Sequence, residues 1–223
     1  MRPAMPSRVA LFDLDRTLIR RESASLYVAY QREQGEATLV DQARMAWWVV
    51  QYTLGIIDVE AVATRVFRSV RGMSAVAMSA RCDDWVRNWV APHISDGARR
   101  AVERHRVAGD LLVIVTGATS FTAWPIARRL GIANVLSTEL AVDADGLFTG
   151  EAVPPLCYGV GKVTRVAALA EQEGFTFDQC VFYTDSLTDL PLLERVGEPV
   201  AVNADIRLGR EAKRRGWRQE NWT

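Results

Sequence analysis

The segment covering residues 9–18, VALFDLDRTL, constrains the fold of this chain more than any other. Its apolar run, residues 9–12, predicts a short strand buried on both faces, which is typical of a central strand in a parallel sheet. Asp13 and Asp15 follow that strand directly. We therefore expect this carboxylate pair at the carboxyl edge of the sheet, where open α/β sheets bind their ligands.

Two carboxylates held close together beside a buried strand need a positively charged partner. Like charges raise the pKa of one group, and removal from water raises both. Carboxylate oxygens suit hard ions such as Mg²⁺, which takes one or two protein carboxylates and keeps several waters. The pair therefore favours a magnesium site, although an acidic turn in which Asp15 or Thr17 caps a helix would have the same sequence.

The next part of the chain has a helical pattern throughout. Apolar residues at three-to-four spacing predict helices over residues 27–34, 39–55, 59–70 and 74–90. Because the sequence between about residue 22 and residue 95 shows no strand pattern, we expect an inserted all-helical domain over residues 22–95. Residues 1–21 and 96–223 are expected to form an α/β core.

From residue 98 onward, predicted helices alternate with predicted strands, which indicates a doubly wound parallel sheet. The expected strands cover residues 110–115, 179–184 and 199–202. An Asp-Ala-Asp-Gly turn predicts a hairpin within residues 135–149. The expected helices cover residues 98–108, 121–130, 161–173, 190–196 and 206–215.

Composition narrows the class of protein. The chain has 27 basic and 27 acidic residues, so nothing indicates a nucleic-acid partner. Its three cysteines are widely spaced, which argues against a disulfide framework and a zinc site and favours a cytoplasmic location. The N-terminal residues 1–8 lack the apolar core of a signal peptide. Residues 45–57 are too short an apolar window to cross a bilayer, so we expect a buried helix there and no membrane insertion.

Three further segments place polar side chains at predicted strand ends or helix starts. Thr116 and Gly117 follow one strand, Lys162 lies in the first turn of a helix, and Asp185 follows a buried strand with Asp189 four residues later. Each has a plain structural explanation by itself, as a turn, a solvated lysine or a helix cap. A second strand-end carboxylate pair is harder to explain structurally, because it adds to the local negative charge.

Taken in order, these four segments resemble the motifs of the haloacid dehalogenase superfamily of phosphatases and phosphotransferases. The resemblance implies that Asp13 is the nucleophile and that Asp15 is the general acid and base. It further implies that Thr116 and Gly117 hold the phosphoryl oxygens and that Lys162 clamps the phosphoryl group.

The resemblance also implies a metal site. In the family, Mg²⁺ is held by a side-chain oxygen of the nucleophile, by the main-chain oxygen of the second acid and by the first acid of the last motif. The corresponding groups here are Asp13, the main-chain oxygen of Asp15, and Asp185. Asp189 would support the site, often through water.

The position of the helical insertion, between the first and second motifs, resembles the phosphoserine phosphatase-like branch, in which a small helical cap closes over the site. In that branch a glutamate at the position of Glu22 recognises a substrate amino group, and a cap arginine binds the substrate carboxylate. Arg65 is the nearest match to that arginine, with Arg68 as a rival. Arg16 stands where the family mostly has Gly or Ser, so it could narrow the pocket or contact phosphate.

The sequence therefore predicts a Mg²⁺-dependent phosphomonoesterase that acts on a small, aminated phosphorylated metabolite through an aspartyl phosphate. Phosphoserine and histidinol phosphate are the leading substrates. A phosphotransferase or phosphomutase stays open, because an alcohol can capture the same intermediate. A non-catalytic or lipid-phosphate-binding module on the same fold is the alternative of a different class, and the apolar cap is its best support.

Overall fold

The structure is a computed structural model that describes residues 8–54 and 59–222. Within these residues seven strands form one sheet. In chain order they are β1 Val9–Phe12, β2 Leu111–Thr119, β3 Asn134–Val142, β4 Phe148–Val153, β5 Cys180–Thr184, β6 Glu198–Val202 and β7 Arg218–Glu220. Their order across the sheet is β4-β3-β2-β1-β5-β6-β7. All neighbours are parallel except β3 and β4, which form the expected antiparallel hairpin.

The first strand lies at the centre of the sheet, between β2 and β5. Its side chains alternate between two hydrophobic cores, with Ala10 and Phe12 in one and Val9 and Leu11 in the other. All four are fully buried. Both faces of β1 are therefore covered, which confirms the prediction for the segment that precedes Asp13.

The helices cover both faces of the sheet. Those after the first strand are α1 Ser23–Glu33, α2 Leu39–Leu54, α3 Val59–Ser69 and α4 Ala75–Trp85, which continues into a π-helical turn, Val86–Val90. The later ones are α5 Asp96–Ala108, α6 Ser120–Leu130, α7 Val160–Glu173, α8 Leu190–Leu193 and α9 Ile206–Arg215. Buried residues of α5 and α6 belong to one core, and those of α7, α8 and α9 belong to the other. The mixed α/β, doubly wound arrangement matches the predicted fold class.

The early helices pack at one end of the sheet. Helix α3 lies against β4, and α4 with its π-helical turn contacts α6. Trp85 is fully buried and packs edge-on against Tyr27 of α1. In the described part of the chain, no helix is long and apolar enough to span a membrane.

Some details differ from the sequence predictions. The helix expected to be buried around residues 45–57 is largely exposed where it is described, with Trp47 57% and Val50 46% accessible. An apolar run shows that a segment is hydrophobic, but it does not show whether another element of the fold covers each face of the helix. Strand β7 was not predicted, because its Arg-Gln-Glu sequence has no apolar alternation and it pairs with β6 through its backbone.

Candidate active site

The carboxyl ends of three neighbouring strands bring the first site residues together. Asp13 follows β1, and its backbone N–H donates to the carbonyl of Tyr183 in β5 at 2.9 Å. Asp185 follows β5 directly, and Thr116 lies in β2 on the other side of β1. All three side chains are buried. The shared edge therefore gathers residues that are far apart in sequence.

Lys162 connects three of the four predicted motifs. Its Nζ atom lies 2.7 Å from Asp13 Oδ1 and 2.7 Å from Asp189 Oδ2. The Thr184 hydroxyl donates to the same Asp189 oxygen at 2.6 Å. Lys162 is only 3% exposed, so the alternative of a solvated surface lysine is wrong. This buried bridge fixes the first turn of α7 against the ends of β1 and β5.

The approach of α7 depends on a residue without a side chain. A Cβ atom on Gly161 would lie 1.8 Å from the carbonyl oxygen of Leu156. That distance is far inside any normal contact, so only glycine fits this position without a backbone shift. Gly161 directly precedes Lys162. The close approach of its backbone to Leu156 therefore helps to fix the position of the Lys162 backbone.

The electrostatics of the site follow from burial. Burial raises the pKa of Asp13 to about 7, although Lys162 opposes the shift. Burial also raises the pKa of Asp185 well above its ordinary value, and the nearby Asp13 adds to the effect. For Lys162, burial alone would lower the pKa, but Asp13 and Asp189 outweigh it and hold the pKa well above its ordinary value. The lysine is therefore charged, and the carboxyls need further positive charge.

Asp15 is held by the start of α1. The Ser23 backbone N–H donates to Asp15 Oδ1 at 2.6 Å, and the Ser23 hydroxyl donates to Oδ2 at 3.0 Å. Burial raises the pKa of Asp15 despite these two hydrogen bonds. A positioned carboxyl with a raised pKa suits proton transfer. Thr17, the alternative helix cap, is fully buried and its hydroxyl has no hydrogen-bond partner among the described residues.

Thr116 and Gly117 lie at the expected strand end, but β2 continues past them to Thr119 instead of stopping at residue 115. The pairing with β3 is irregular over this stretch. Ala118 donates its backbone N–H to the Thr116 hydroxyl at 3.1 Å, which fixes that side chain in the bulged segment.

Arg16 and Glu22 border the same carboxylates. Arg16 Nε lies 3.3 Å from Asp185 Oδ2, and a terminal guanidinium nitrogen lies 4.0 Å from Glu22 Oε1. Burial raises the pKa of Glu22 to about 8, with Asp15 adding to the shift and Arg16 opposing it. Glu22 is thus a half-buried acid beside the second catalytic candidate.

The cap arginines lie elsewhere. Arg65 and the rival Arg68 are exposed on α3, the helix that packs against β4 at the edge of the sheet. No hydrogen bond or ion pair joins either of them to a site residue in the portion of the chain that the structure describes.

The donor set fits a magnesium ion through its chemistry. Within residues 8–54 and 59–222, no three acidic, histidine or cysteine side chains cluster closely enough to enclose an ion by themselves. Mg²⁺ does not require such a cluster, since it uses one or two carboxylates with carbonyl and water oxygens. The charges favour a cation, because among the described residues five acidic side chains and two basic ones surround the site. The seven are Asp13, Asp15, Glu22, Asp185, Asp189, Lys162 and Arg16.

Comparison with known proteins gives the class. The family model for haloacid dehalogenase-like hydrolases matches residues 10–194, so the chain belongs to that family. It is 32% identical to a histidinol-phosphatase of Neisseria meningitidis serogroup C (strain 8013), over 94% of this chain and 96% of that protein.

A further relative and a solved structure are also similar to this chain. Phosphoserine phosphatase SerB1 of Mycobacterium tuberculosis (strain ATCC 25618 / H37Rv) is 32% identical over 93% of this chain and 68% of that protein. A crystal structure of a protein with unknown function from Bordetella pertussis Tohama I has a TM-score of 0.86 and 31% identity, covering 97% and 99% of the two chains. The chain is an enzyme of the phosphatase type within the family.

Several side chains that support the site were not predicted. Ser23 holds Asp15, Thr184 holds Asp189, and Asn203 donates to the Arg16 carbonyl at 3.0 Å. Thr184 could have been singled out, since it is a hydroxyl residue beside Asp185 in a buried strand. Ser23 and Asn203 reach the site through chain reversals that no local pattern encodes.

Proposed function

We propose that this protein is a Mg²⁺-dependent phosphomonoesterase that hydrolyses a small, aminated phosphorylated metabolite through an aspartyl phosphate on Asp13. The observation that carries the proposal is the buried Lys162 bridge between Asp13 and Asp189, at the strand end next to Asp185. Burial of a lysine between two carboxylates has a desolvation cost, and a hydrophobic replacement would often be equally stable. The arrangement therefore supports a catalytic role more than a purely structural one.

Each residue has a role that its surroundings support. The Asp13 carboxylate attacks phosphorus, and Lys162 lies against that carboxylate where it can also attract the phosphoryl oxygens. Thr116 and the backbone N–H of Gly117 would hold those oxygens from the neighbouring strand. Asp15, oriented by Ser23, donates a proton to the leaving oxygen and later takes one from water.

A magnesium ion would be held by Asp13, the main-chain oxygen of Asp15, and Asp185. Once bound, it would supply positive charge for the phosphoryl oxygens. Asp189 would act through Lys162, which it contacts directly.

The helical segment suits the role of a cap. We propose that residues 22–95 form the cap and that residues 1–21 and 96–223 form the catalytic core. Glu22 and Ser23 stand at the junction, beside the site carboxylates. Movement of the cap would therefore shift the residues that surround the substrate.

The substrate preference follows from the charged groups beside the phosphate position. Glu22 supports recognition of an amino group. A substrate carboxylate would need a cation, but Arg65 and Arg68 are exposed on α3 and Arg16 is paired with acidic groups. Histidinol phosphate, which has an amine and no carboxylate, is therefore the first candidate, and phosphoserine is the second. The relatives named above as histidinol and phosphoserine phosphatases agree with this pair.

The test is a panel of phosphorylated metabolites assayed for phosphate release with MgCl₂ and with EDTA. Histidinol phosphate should be hydrolysed in MgCl₂, and Asp13→Asn should abolish turnover while the circular dichroism spectrum and thermal unfolding are kept. Retained activity in Asp13→Asn would refute the nucleophile. Phosphoryl transfer to an added alcohol in place of water would identify a phosphotransferase. Inactivity across the panel, lysophosphatidate included, would favour a binding module.

A further inference from the structure

We propose that Arg16 is an internal counter-ion for Asp185, so that a magnesium ion must displace its guanidinium group to bind. The inference rests on the proposed function, because it takes Asp185 as a ligand of Mg²⁺. It assigns to Arg16 control of metal affinity, a role distinct from contact with the substrate.

The contact itself is the first argument. Arg16 Nε lies 3.3 Å from Asp185 Oδ2, and Asp185 is only 5% exposed. Among the described residues, Arg16 is the one cation within ion-pair distance of this carboxylate. The Arg16 side chain is 34% exposed, so it can move towards solvent, whereas Asp185 is fixed at the end of β5.

The backbone of Arg16 is held in an unusual conformation. Its φ angle is 57°, in the left-handed region that residues with a side chain seldom adopt. The Asn203 side chain donates to the Arg16 carbonyl at 3.0 Å and accepts from the backbone N–H of Trp222 at 2.8 Å. The surrounding structure therefore fixes the point from which the guanidinium group extends, which is the condition under which such backbone strain persists.

The charges around Asp185 give the direction of the effect. Asp13, Glu22 and Asp189 add negative charge near Asp185, and Arg16 opposes them. Binding equilibria at one carboxylate are linked, so whatever free energy the Arg16 contact contributes is subtracted from the binding of a competing cation. Removal of the guanidinium group should therefore strengthen Mg²⁺ binding.

The experiment is a titration of MgCl₂ into the metal-free full chain, followed by calorimetry without substrate. Arg16→Asn removes the charge and keeps a residue that tolerates positive φ. It should bind Mg²⁺ about fivefold more tightly than the wild type, the change expected when a partly exposed ion pair no longer competes. Arg21→Asn is the matched control, because Arg21 is exposed in the same segment and its loss changes the net charge equally. The control should stay within about twofold of the wild type.

The outcomes separate the role of Arg16 from the proposed function. Equal or weaker Mg²⁺ binding in Arg16→Asn, with binding present in the wild type, overturns the role of Arg16 and leaves the proposed function standing. Equal tightening in Arg21→Asn also overturns it, since a general charge effect would then suffice. If neither the wild type nor Arg16→Asn binds Mg²⁺ at millimolar concentration, both proposals fail. Should Arg16→Asn not fold, Arg16→Gly removes the same contact and adopts the positive φ angle without steric strain.

Discussion

Replacement of Lys162 by methionine tests the buried bridge most directly. Methionine has a similar length and fills the apolar part of the space, but it leaves Asp13 and Asp189 facing each other without a cation. The wild-type lysine makes two contacts of 2.7 Å and is 3% exposed, so solvent cannot replace it. Loss of one partner of a buried ion pair costs about 3–5 kcal/mol of the free energy of unfolding. We expect the upper half of that range, because two carboxylates lose their partner.

Urea unfolding with EDTA at pH 8 measures this loss. With a slope of about 2 kcal/mol per molar urea, the midpoint should fall by about 2 M. The chain has only one other lysine, Lys213, which is exposed on α9. Lys213→Met should change the free energy of unfolding by no more than about 0.5 kcal/mol. A loss below about 1 kcal/mol in Lys162→Met, or an equal loss in both variants, would refute the bridge.

A double variant separates the ion pair from simple packing. Adding Asp189→Leu to Lys162→Met removes one of the two stranded carboxylates, so part of the lost free energy should return. The loss in Lys162→Met should also shrink at pH 5, since a carboxyl whose pKa is already raised by burial takes up a proton there. A loss that is additive and independent of pH would indicate a packing defect instead.

Two further outcomes follow from the site. Gly161→Ala should lower both stability and turnover, because its Cβ would meet the Leu156 carbonyl. Gly209→Ala, whose Cβ has room within helix α9, should leave turnover unchanged and raise the free energy of unfolding by up to about 1 kcal/mol. In EDTA, thermal stability should fall as the pH rises from about 4.5 to about 8. The folded Glu22 and Asp13, with pKa values of about 8 and about 7, keep protons that the unfolded chain releases. A melting temperature that rises over this range would contradict the burial of these carboxyls.

Much of the fold could be predicted because local patterns and global structure agree. The apolar run before Asp13 was long enough for a strand and too short for a helix, and the structure buries both of its faces. Helix α9, Ile206–Arg215, has the predicted bounds. The exposure of Trp47 on α2 could not be predicted, because it depends on which elements lie beside the helix and not on the helix itself. The polar strand β7 forms through backbone pairing with β6, which a pattern of side chains does not predict.

Part of the candidate site could likewise be predicted from the sequence, and part could not. Residues that directly follow predicted parallel strands could be grouped from the sequence, because such strand ends share one edge of a sheet. The structure shows that β1 lies between β2 and β5. The contacts of Arg16 could not be predicted, since its direction depends on a left-handed backbone angle and on Asn203, which is remote in sequence. Arg16 departs from the family pattern, so the resemblance could not supply its contacts either.

The two cations of the site contact different carboxylates and differ in their exposure to solvent. Lys162 contacts both Asp13 and Asp189 from the first turn of a helix, and its side chain is buried away from solvent. Arg16 neutralises Asp185 from a partly exposed loop, so it can yield that carboxylate to a stronger cation. A phosphomonoester brings more negative charge into a site with an excess of acids. The fixed lysine cannot offset that excess alone, so under the proposed function a magnesium ion would bind on the Arg16 side of the site.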